Sequence, residues 1–289
     1  MKPAPFAYHR PDTLEEALDL LARYGGDAKP LAGGQSLVPA MNFRLAQPSV
    51  LVDLNRIGTL AGIAGGDGSL RIGGMARHRA LELNPLVARL APLVAATMPF
   101  VAHLPIRTRG TLGGSLAHAD PAAELPAVML ALNATIGLRS RDGARTVPAS
   151  EFFVGLFTTS LVPGELVVDV AVPALAPGSG WAVDEVSRRH GDFALAGAVA
   201  VVTLDPRGIV ATASIGLLGL HDRAVRATHA ERLFIGESPS GAAITAAADA
   251  AGRLDADPAS DVHASSVYRR HLAGVMVRRV LTRAVERAA

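Results

Sequence analysis

Two short stretches of this chain carry residues suited to holding an anion: Ala32-Gly33-Gly34-Gln35-Ser36-Leu37 and Gly110-Thr111-Leu112-Gly113-Gly114-Ser115. Each follows an apolar or strand-like stretch and runs into residues of helical character, the placement that a diphosphate-holding turn requires. Adjacent glycines allow positive φ and let the main chain come close to a ligand. Ser36, Thr111 and Ser115 add hydroxyl donors. Taken singly, a glycine pair is equally well a tight strand-to-helix turn. The repetition of the same chemistry in a second unit points to one dinucleotide held between the two. Neither stretch fits GxGxxG or the lysine-bearing phosphate loop, which disfavours a Rossmann nicotinamide site and an ATPase.

Other groups have chemical potential but also plain structural readings. In His118-Ala119-Asp120-Pro121-Ala122-Ala123-Glu124, Asp120 can accept from sugar hydroxyls, with Glu124 one turn further along the same helical face. Equally, Asp120 caps a helix begun by Pro121, and Glu124 complements its dipole. His118 with Asp120 is too sparse a set for a metal. Arg107 and Arg109 can face phosphate or simply solvent. Arg188-Arg189-His190-Gly191-Asp192-Phe193 places cations beside an aromatic, an arrangement suited to the edge of a ring cofactor or to a solvated strand end. There is no legible nucleophilic triad or pair of catalytic carboxylates, so hydrolysis has no support and no catalytic residue is assigned.

Composition narrows the chemistry. The chain of 289 residues has no cysteine, which removes disulfides, thiolate ligands and an iron-sulfur cluster held in the usual way. Redox chemistry here must therefore use a bound organic cofactor. Apolar residues make up 49% and charged ones 19%, with a net charge of +2, as in a globular protein. All but two of the 28 basic residues, Lys2 and Lys29, are arginine, and they are scattered. With 4% aromatics there is no stacking platform for nucleic acid. No apolar run of about 18 residues predicts a membrane span and no leader precedes the chain, so a cytoplasmic location is expected.

The elements that must position these residues read as follows. Thr13-Leu14-Glu15-Glu16 is a capping box, with Glu16 expected to reach back to the Thr13 amide, and starts a helix that Gly25-Gly26 stops. Lys29–Ala32 is predicted as a strand, Val38–Leu45 as a short helix and Val50–Leu54 as a buried strand, together a βαβ-like unit. Gly65-Gly66-Asp67-Gly68 predicts a hairpin turn, followed by helices over His78–Leu83 and Leu86–Thr97. Pro121 is placed at the first position of a helix over Ala122–Leu132. Asp142-Gly143 joins another hairpin, and Leu166–Val172 is a further strand. A linker is expected over Pro173–Gly180, which divides the chain into 1–177, with subdomains of about 1–56 and 57–177, and 178–289. Beyond it, strands are predicted over Trp181–Ser187, Gly197–Leu204 and Ile209–Leu217, and helices over Ala224–Phe234, Ala242–Arg253 and Ser266–Val285.

The first glycine stretch, with Gly110 to Glu124 read as one long motif, closely resembles the FAD-binding medium subunit of molybdenum hydroxylases, the group of aerobic carbon monoxide dehydrogenase and xanthine dehydrogenase. Val52-Asp53-Leu54, Phe152-Phe153-Val154-Gly155, Thr159-Ser160-Leu161 with Glu165, Arg188-Arg189 and Tyr268-Arg269-Arg270 follow in the expected order. The resemblance implies an α+β fold: a two-subdomain α/β FAD-binding region of the PCMH type, then a small antiparallel sheet with helices. It implies FAD held at Ala32, Gly33, Gly34, Gln35, Ser36, Leu37, Thr111, Gly113, Gly114 and Ser115, with Asp120 and Glu124 bonding the cofactor. Leu161 is expected against the flavin, Ala102 near the adenine and Phe193 in the flavin neighbourhood. Two departures stand out: Glu124 where the family commonly has aspartate, and Asp184 and Glu185 where relatives often have a lysine.

By the same resemblance the chain is the electron outlet of an oxidoreductase. A large subunit carries a molybdenum cofactor and a small one carries iron-sulfur clusters, in a dimer of heterotrimers. Two rival readings are a stand-alone flavin oxidoreductase of the same fold and a non-redox nucleotide-binding scaffold. Neither the substrate of the complex nor its electron acceptor follows from this chain.

Overall fold

The computed structural model describes residues 2–66 and 68–289. The chain starts with β1 (Ala7–His9), α1 (Leu14–Tyr24), β2 (Ala28–Leu31), α2 (Leu37–Asn42) and β3 (Val50–Asp53). The strands form a parallel sheet in the order β1-β3-β2. Parallel neighbours need crossovers, and α1 supplies the first of them. Thr13 caps α1 by accepting from the Glu16 amide. Glu16 reaches back to the amide of Asp12 rather than of Thr13, closing the box one residue earlier than expected. Ala17, Leu18 and Leu21 bury the inner face of α1 against Val50 and Val52. The short strand β1 was not anticipated, since its residues are mostly exposed and show no alternating pattern.

The middle region contains β4 (Ile63–Gly66), β5 (Ser69–Gly73), α3 (His78–Leu83), α4 (Pro85–Leu90), α5 (Pro92–Thr97), α6 (Leu104–Arg107), α7 (Leu112–His118), α8 (Glu124–Ala131), β6 (Thr135–Ser140), β7 (Gly143–Pro148), α9 (Ala149–Phe152), β8 (Phe153–Gly155), β9 (Thr158–Thr159) and β10 (Leu166–Pro173). Its antiparallel sheet runs β4-β5-β10-β6-β7, so β10, the last of these strands in sequence, is inserted at the centre. The β4–β5 hairpin is as expected, although Asp67 at its turn lies outside the described residues. The helix expected over Leu86–Thr97 is two helices, because Pro92 cannot supply an amide and restarts the chain. Pro121 does not begin a helix. Asp120 accepts from the Ala122 amide at 2.9 Å in a turn, and α8 starts only at Glu124.

The C-terminal part is a four-stranded antiparallel meander: β11 (Ser179–Ser187), β12 (Ala194–Leu204), β13 (Val210–Leu218) and β14 (Val225–Arg226). Three helices cover one face: α10 (Thr228–Phe234), α11 (Gly241–Ala250), which ends in a widened turn over Ala251–Asp255, and α12 (Ser266–Ala288). Residues 224–227, expected as helix, instead include β14, which pairs Val225 with Leu217. Strands β11 and β12 run longer than the sequence pattern implied, since alanine-rich ends such as Ala194–Ala196 carry little periodic signal.

One apolar core spans the middle and C-terminal parts. Val183, Val199, Val201 and Leu218 belong to the same buried cluster as Leu93, Val94 and Met129. Helix α8 is buried on every side, as a helix apolar all round must be. It lies against β12 and β13 as well as α5 and α7. Among the described residues no helix is long and apolar enough to cross a membrane.

Candidate cofactor site

The first glycine stretch leaves β2 and enters α2. Among the described residues, the amides of Gly33, Gly34, Gln35, Ser36 and Leu37 have no hydrogen-bond partner, the next bonded amide being Val38 to the Gly34 carbonyl at 3.0 Å. Five successive unpaired amides around a left-handed glycine, Gly34 at φ +75°, make a concave set of donors suited to an anion. Gln35 turns its side-chain amide back to the Gly33 carbonyl at 3.1 Å, so its side chain braces the loop. Ser36, at the cap position of α2, makes no capping bond, and its hydroxyl is exposed.

The second stretch contributes differently. The Gly110 amide goes to Ile106, that of Leu112 to Ala76 and that of Gly113 to Gly74. Thr111 caps α7, its hydroxyl oxygen accepting from the Gly114 amide at 3.1 Å. A hydroxyl that accepts in this way still has its proton to donate. Thr111 and Ser115 therefore offer hydroxyls where the first loop offers amides.

The two loops are in contact, which their separation of some seventy-five positions in the sequence did not reveal. A Cβ on Gly33 would lie 2.3 Å from the Arg109 carbonyl oxygen, and one on Gly114 would lie 3.5 Å from the Ala32 Cβ. A polar network adjoins them, built on Asn55 and Arg77, which sequence reading missed, and on Asp53 of the motif Val52-Asp53-Leu54. Asn55 donates from Nδ2 to the Ala32 carbonyl at 3.0 Å. Arg77 donates to both the Asn55 side-chain carbonyl and the Arg109 carbonyl. Asp53 accepts from the Asn55 amide at 2.9 Å and from the Tyr8 hydroxyl. These hydrogen bonds hold the Asp53 carboxyl below its usual range against the opposing effect of burial.

Arginines anchor two further loops that carry expected contacts. Arg107, read as facing either phosphate or solvent, is instead taken up inside the chain. It is buried, ion-paired to Glu82 at 3.0 Å, and donates to the carbonyls of Val101 and Ala102 at 3.2 and 3.1 Å. That grip holds Ala102 at φ +45°. Arg145 pairs with Glu165 at 2.6 Å and donates to the Ser160 carbonyl at 2.7 Å, while Glu165 accepts from the Val162 amide at 2.9 Å. Half-buried Leu161 is thus fixed from both sides.

The remaining expected residues are spread around this frame. Arg188 and Arg189 both pair with Asp192, and Phe193 is 72% exposed. Their turn abuts His103, with the His103 and His190 rings 6.1 Å apart, so Phe193 and Ala102 stand on touching elements. His118 packs on Phe157 at 5.1 Å. The acidic pair divides by strand alternation. Asp184 turns to α12 and pairs with Arg279 and Arg283 at 3.5 and 3.3 Å. Glu185 faces the other way, and one of its carboxyl oxygens is buried without a partner. Burial pushes the Glu124 carboxyl up to about 7, and burial with repulsion from Glu124 and Asp184 pushes Glu185 up to about 8. Two cavities, of about 490 and 290 Å³, lie beside the C-terminus and beside the β4–β5 hairpin, and neither is lined by the two loops.

Residues 4–175 match the family described as the FAD binding domain in molybdopterin dehydrogenase. This chain belongs to that family. Residues 181–284 match the CO dehydrogenase flavoprotein C-terminal domain. The chain is 47% identical to the 6-hydroxypseudooxynicotine dehydrogenase complex subunit alpha of Paenarthrobacter nicotinovorans, covering all of this chain and 97% of that one. It is 39% identical to the carbon monoxide dehydrogenase medium chain of Hydrogenophaga pseudoflava, with both chains fully covered. Its fold superposes on the solved carbon monoxide dehydrogenase from the same organism with a TM-score of 0.97, at 40% identity and full coverage of both chains. On quinoline 2-oxidoreductase from Pseudomonas putida 86 the TM-score is 0.95, at 38% identity, covering all of this chain and 99% of that one. The α+β architecture and the FAD-binding domain expected from the sequence are therefore those of this oxidoreductase family.

Proposed function

We propose that the chain binds FAD between the two glycine loops and is the electron outlet of a molybdenum-dependent dehydrogenase. Electrons would arrive from iron-sulfur clusters on a small subunit, after substrate oxidation on a large one, and leave to an external acceptor. The observation that carries this reading is the run of unpaired amides from Gly33 to Leu37 opposite Thr111 and Ser115. FAD accepts electrons singly and releases them in pairs, which is the chemistry such an outlet needs. The chain's own residues bind and orient. The first loop and Thr111, Gly113, Gly114 and Ser115 hold the diphosphate; Asp120 and Glu124 accept from cofactor hydroxyls or ring atoms. Leu161 would pack against the flavin, Phe193 would lie in its neighbourhood, and Ala102 would lie near the adenine. The absence of cysteine leaves the clusters to a partner chain. A division at 177/178, a cytoplasmic location and assembly as a dimer of heterotrimers accompany this reading.

The test is to purify the chain from its native host and record its spectrum and companions. Stoichiometric flavin absorption, with a molybdenum-containing large subunit and an iron-sulfur small one, is the expected result. A flavin-loaded chain that oxidises a small substrate at full rate by itself would favour a free-standing oxidoreductase. A colourless chain that takes up no FAD would leave a nucleotide-binding scaffold.

A further inference from the structure

The carbonyls at the back of the two glycine loops converge on one side chain pair. Asn55 sits in the turn after β3 and grips the Ala32 carbonyl, while Arg77, ahead of α3, grips the Arg109 carbonyl and the Asn55 side chain. In a trans peptide the C=O and the following N–H point in opposite directions. Holding the Ala32 carbonyl therefore aims the Gly33 amide away from Asn55, and that amide makes no bond within the chain among the described residues. The Arg109 carbonyl lies against Gly33, so the same guanidinium also sets how closely the second loop approaches the first. Arg77 extends this hold through its own backbone, which bridges Thr111. Its planar fork reaches two acceptors at once, which a lysine ammonium does with much poorer geometry. Asn55 follows the first sheet and Arg77 follows β5 of the second, so the pair ties the two glycine loops together from two different parts of the chain.

We infer that Arg77 and Asn55 are positioning residues that act as one lock, setting the width of the diphosphate cradle and the direction of its amides. This rests on the FAD reading given above. The pair acts through the loop carbonyls that it holds. Its positive charge, placed behind carbonyls that would otherwise present negative ends toward a diphosphate, favours the same ligand.

The experiment uses the full chain stripped of cofactor, titrated with FAD by fluorescence quenching, with the melting temperature of the apo form recorded in parallel. Arg77→Lys, Arg77→Met, Asn55→Ala and the double variant Asn55→Ala with Arg77→Met are compared with wild type. The expected result is a rise in Kd for FAD of about tenfold or more in Asn55→Ala and Arg77→Met. The double variant should lose less than the product of the two single losses, because the two residues are bonded to each other as well as to separate loop carbonyls. Arg77→Lys keeps charge and bulk and protects against a folding failure of the methionine variant; its apo melting temperature should stay near wild type while its FAD affinity still falls. Inorganic pyrophosphate serves as a competitor, and its inhibition constant should rise by the same factor as the Kd for FAD. Wild-type affinity in the single variants, losses that multiply in the double variant, or losses that only follow a fall in apo stability would overturn the lock. If the wild-type chain takes up no FAD, the functional reading fails instead.

Discussion

At the scale of single residues, Gly33 is the position where the two loops meet, and its substitution strains the fold and the proposed cradle together. A methyl group there would lie 2.3 Å from a backbone oxygen that cannot move without opening the Arg77 contact. Gly33→Ala should destabilise the chain by about 1–3 kcal/mol, as overpacking usually does, and should cost most of its FAD retention. Stoichiometric FAD in the purified variant would contradict the cradle. The carboxyls of Glu124 and Glu185 make a prediction about pH. Both are raised from about 4.5 in the unfolded chain, to about 7 and about 8. Between these values the folded state holds more protons than the unfolded one, so stability falls as pH rises. Their contribution is complete below about 4.5 and lost through 7 to 8. Buried His78, pushed down to about 4, works the other way and adds stability as pH rises to about 6.5. The melting temperature of the apo chain should therefore drop from pH 6.5 to pH 8.5, and Glu185→Gln should flatten that drop. The carboxyls held low by partners, such as Asp53, Glu82 and Glu165, lose their contribution only in acid, outside this window. A melting temperature constant over the range, or an unchanged slope in Glu185→Gln, would show that these two groups do not titrate as described.

At the scale of elements, α7 is capped by Thr111, whose hydroxyl accepts from the Gly114 amide, and the proposed site gives the same hydroxyl a part in binding. Thr111→Val should lower stability by about 1 kcal/mol through loss of the cap, together with a clear loss of FAD affinity. Thr111→Ser should restore both, and a serine variant no better than valine would mean that the hydroxyl has no part in binding. Thr111-Leu112-Gly113-Gly114-Ser115 had looked like a copy of the first loop because its residue types are the same. Which amides are free is decided by neighbours from distant sequence, Ala76 and Gly74, that take the amides of Leu112 and Gly113. Asp120 illustrates the same limit. Its turn bond to Ala122 delays α8 to Glu124, and helix propensity alone gave no sign that Pro121 would stay outside.

At the scale of the whole molecule, the middle and C-terminal parts share one core and meet along α8. Gly216 of β13 approaches so closely that a Cβ would lie 2.5 Å from the Ala127 carbonyl oxygen. Gly216→Ala should lower the melting temperature in one cooperative transition, since the cluster it disturbs runs through both parts. Two separate transitions by calorimetry would show that the parts unfold independently. The local sequence by itself determined the glycine loops, the first helix with its cap, the hairpins and the order of the motifs, because turns, caps and alternation are written within a few residues of one another. It also excluded a thiolate-held cluster from this chain, since the sequence has no cysteine. Tertiary structure alone decided that β10 sits mid-sheet, that Arg107 is buried while Arg77 and Asn55 hold the cradle, and that Asp184 and Glu185 part company. Those outcomes depend on contacts between residues tens of positions apart, where a side chain's partner is set by the packing of whole sheets and helices and leaves no local pattern to read.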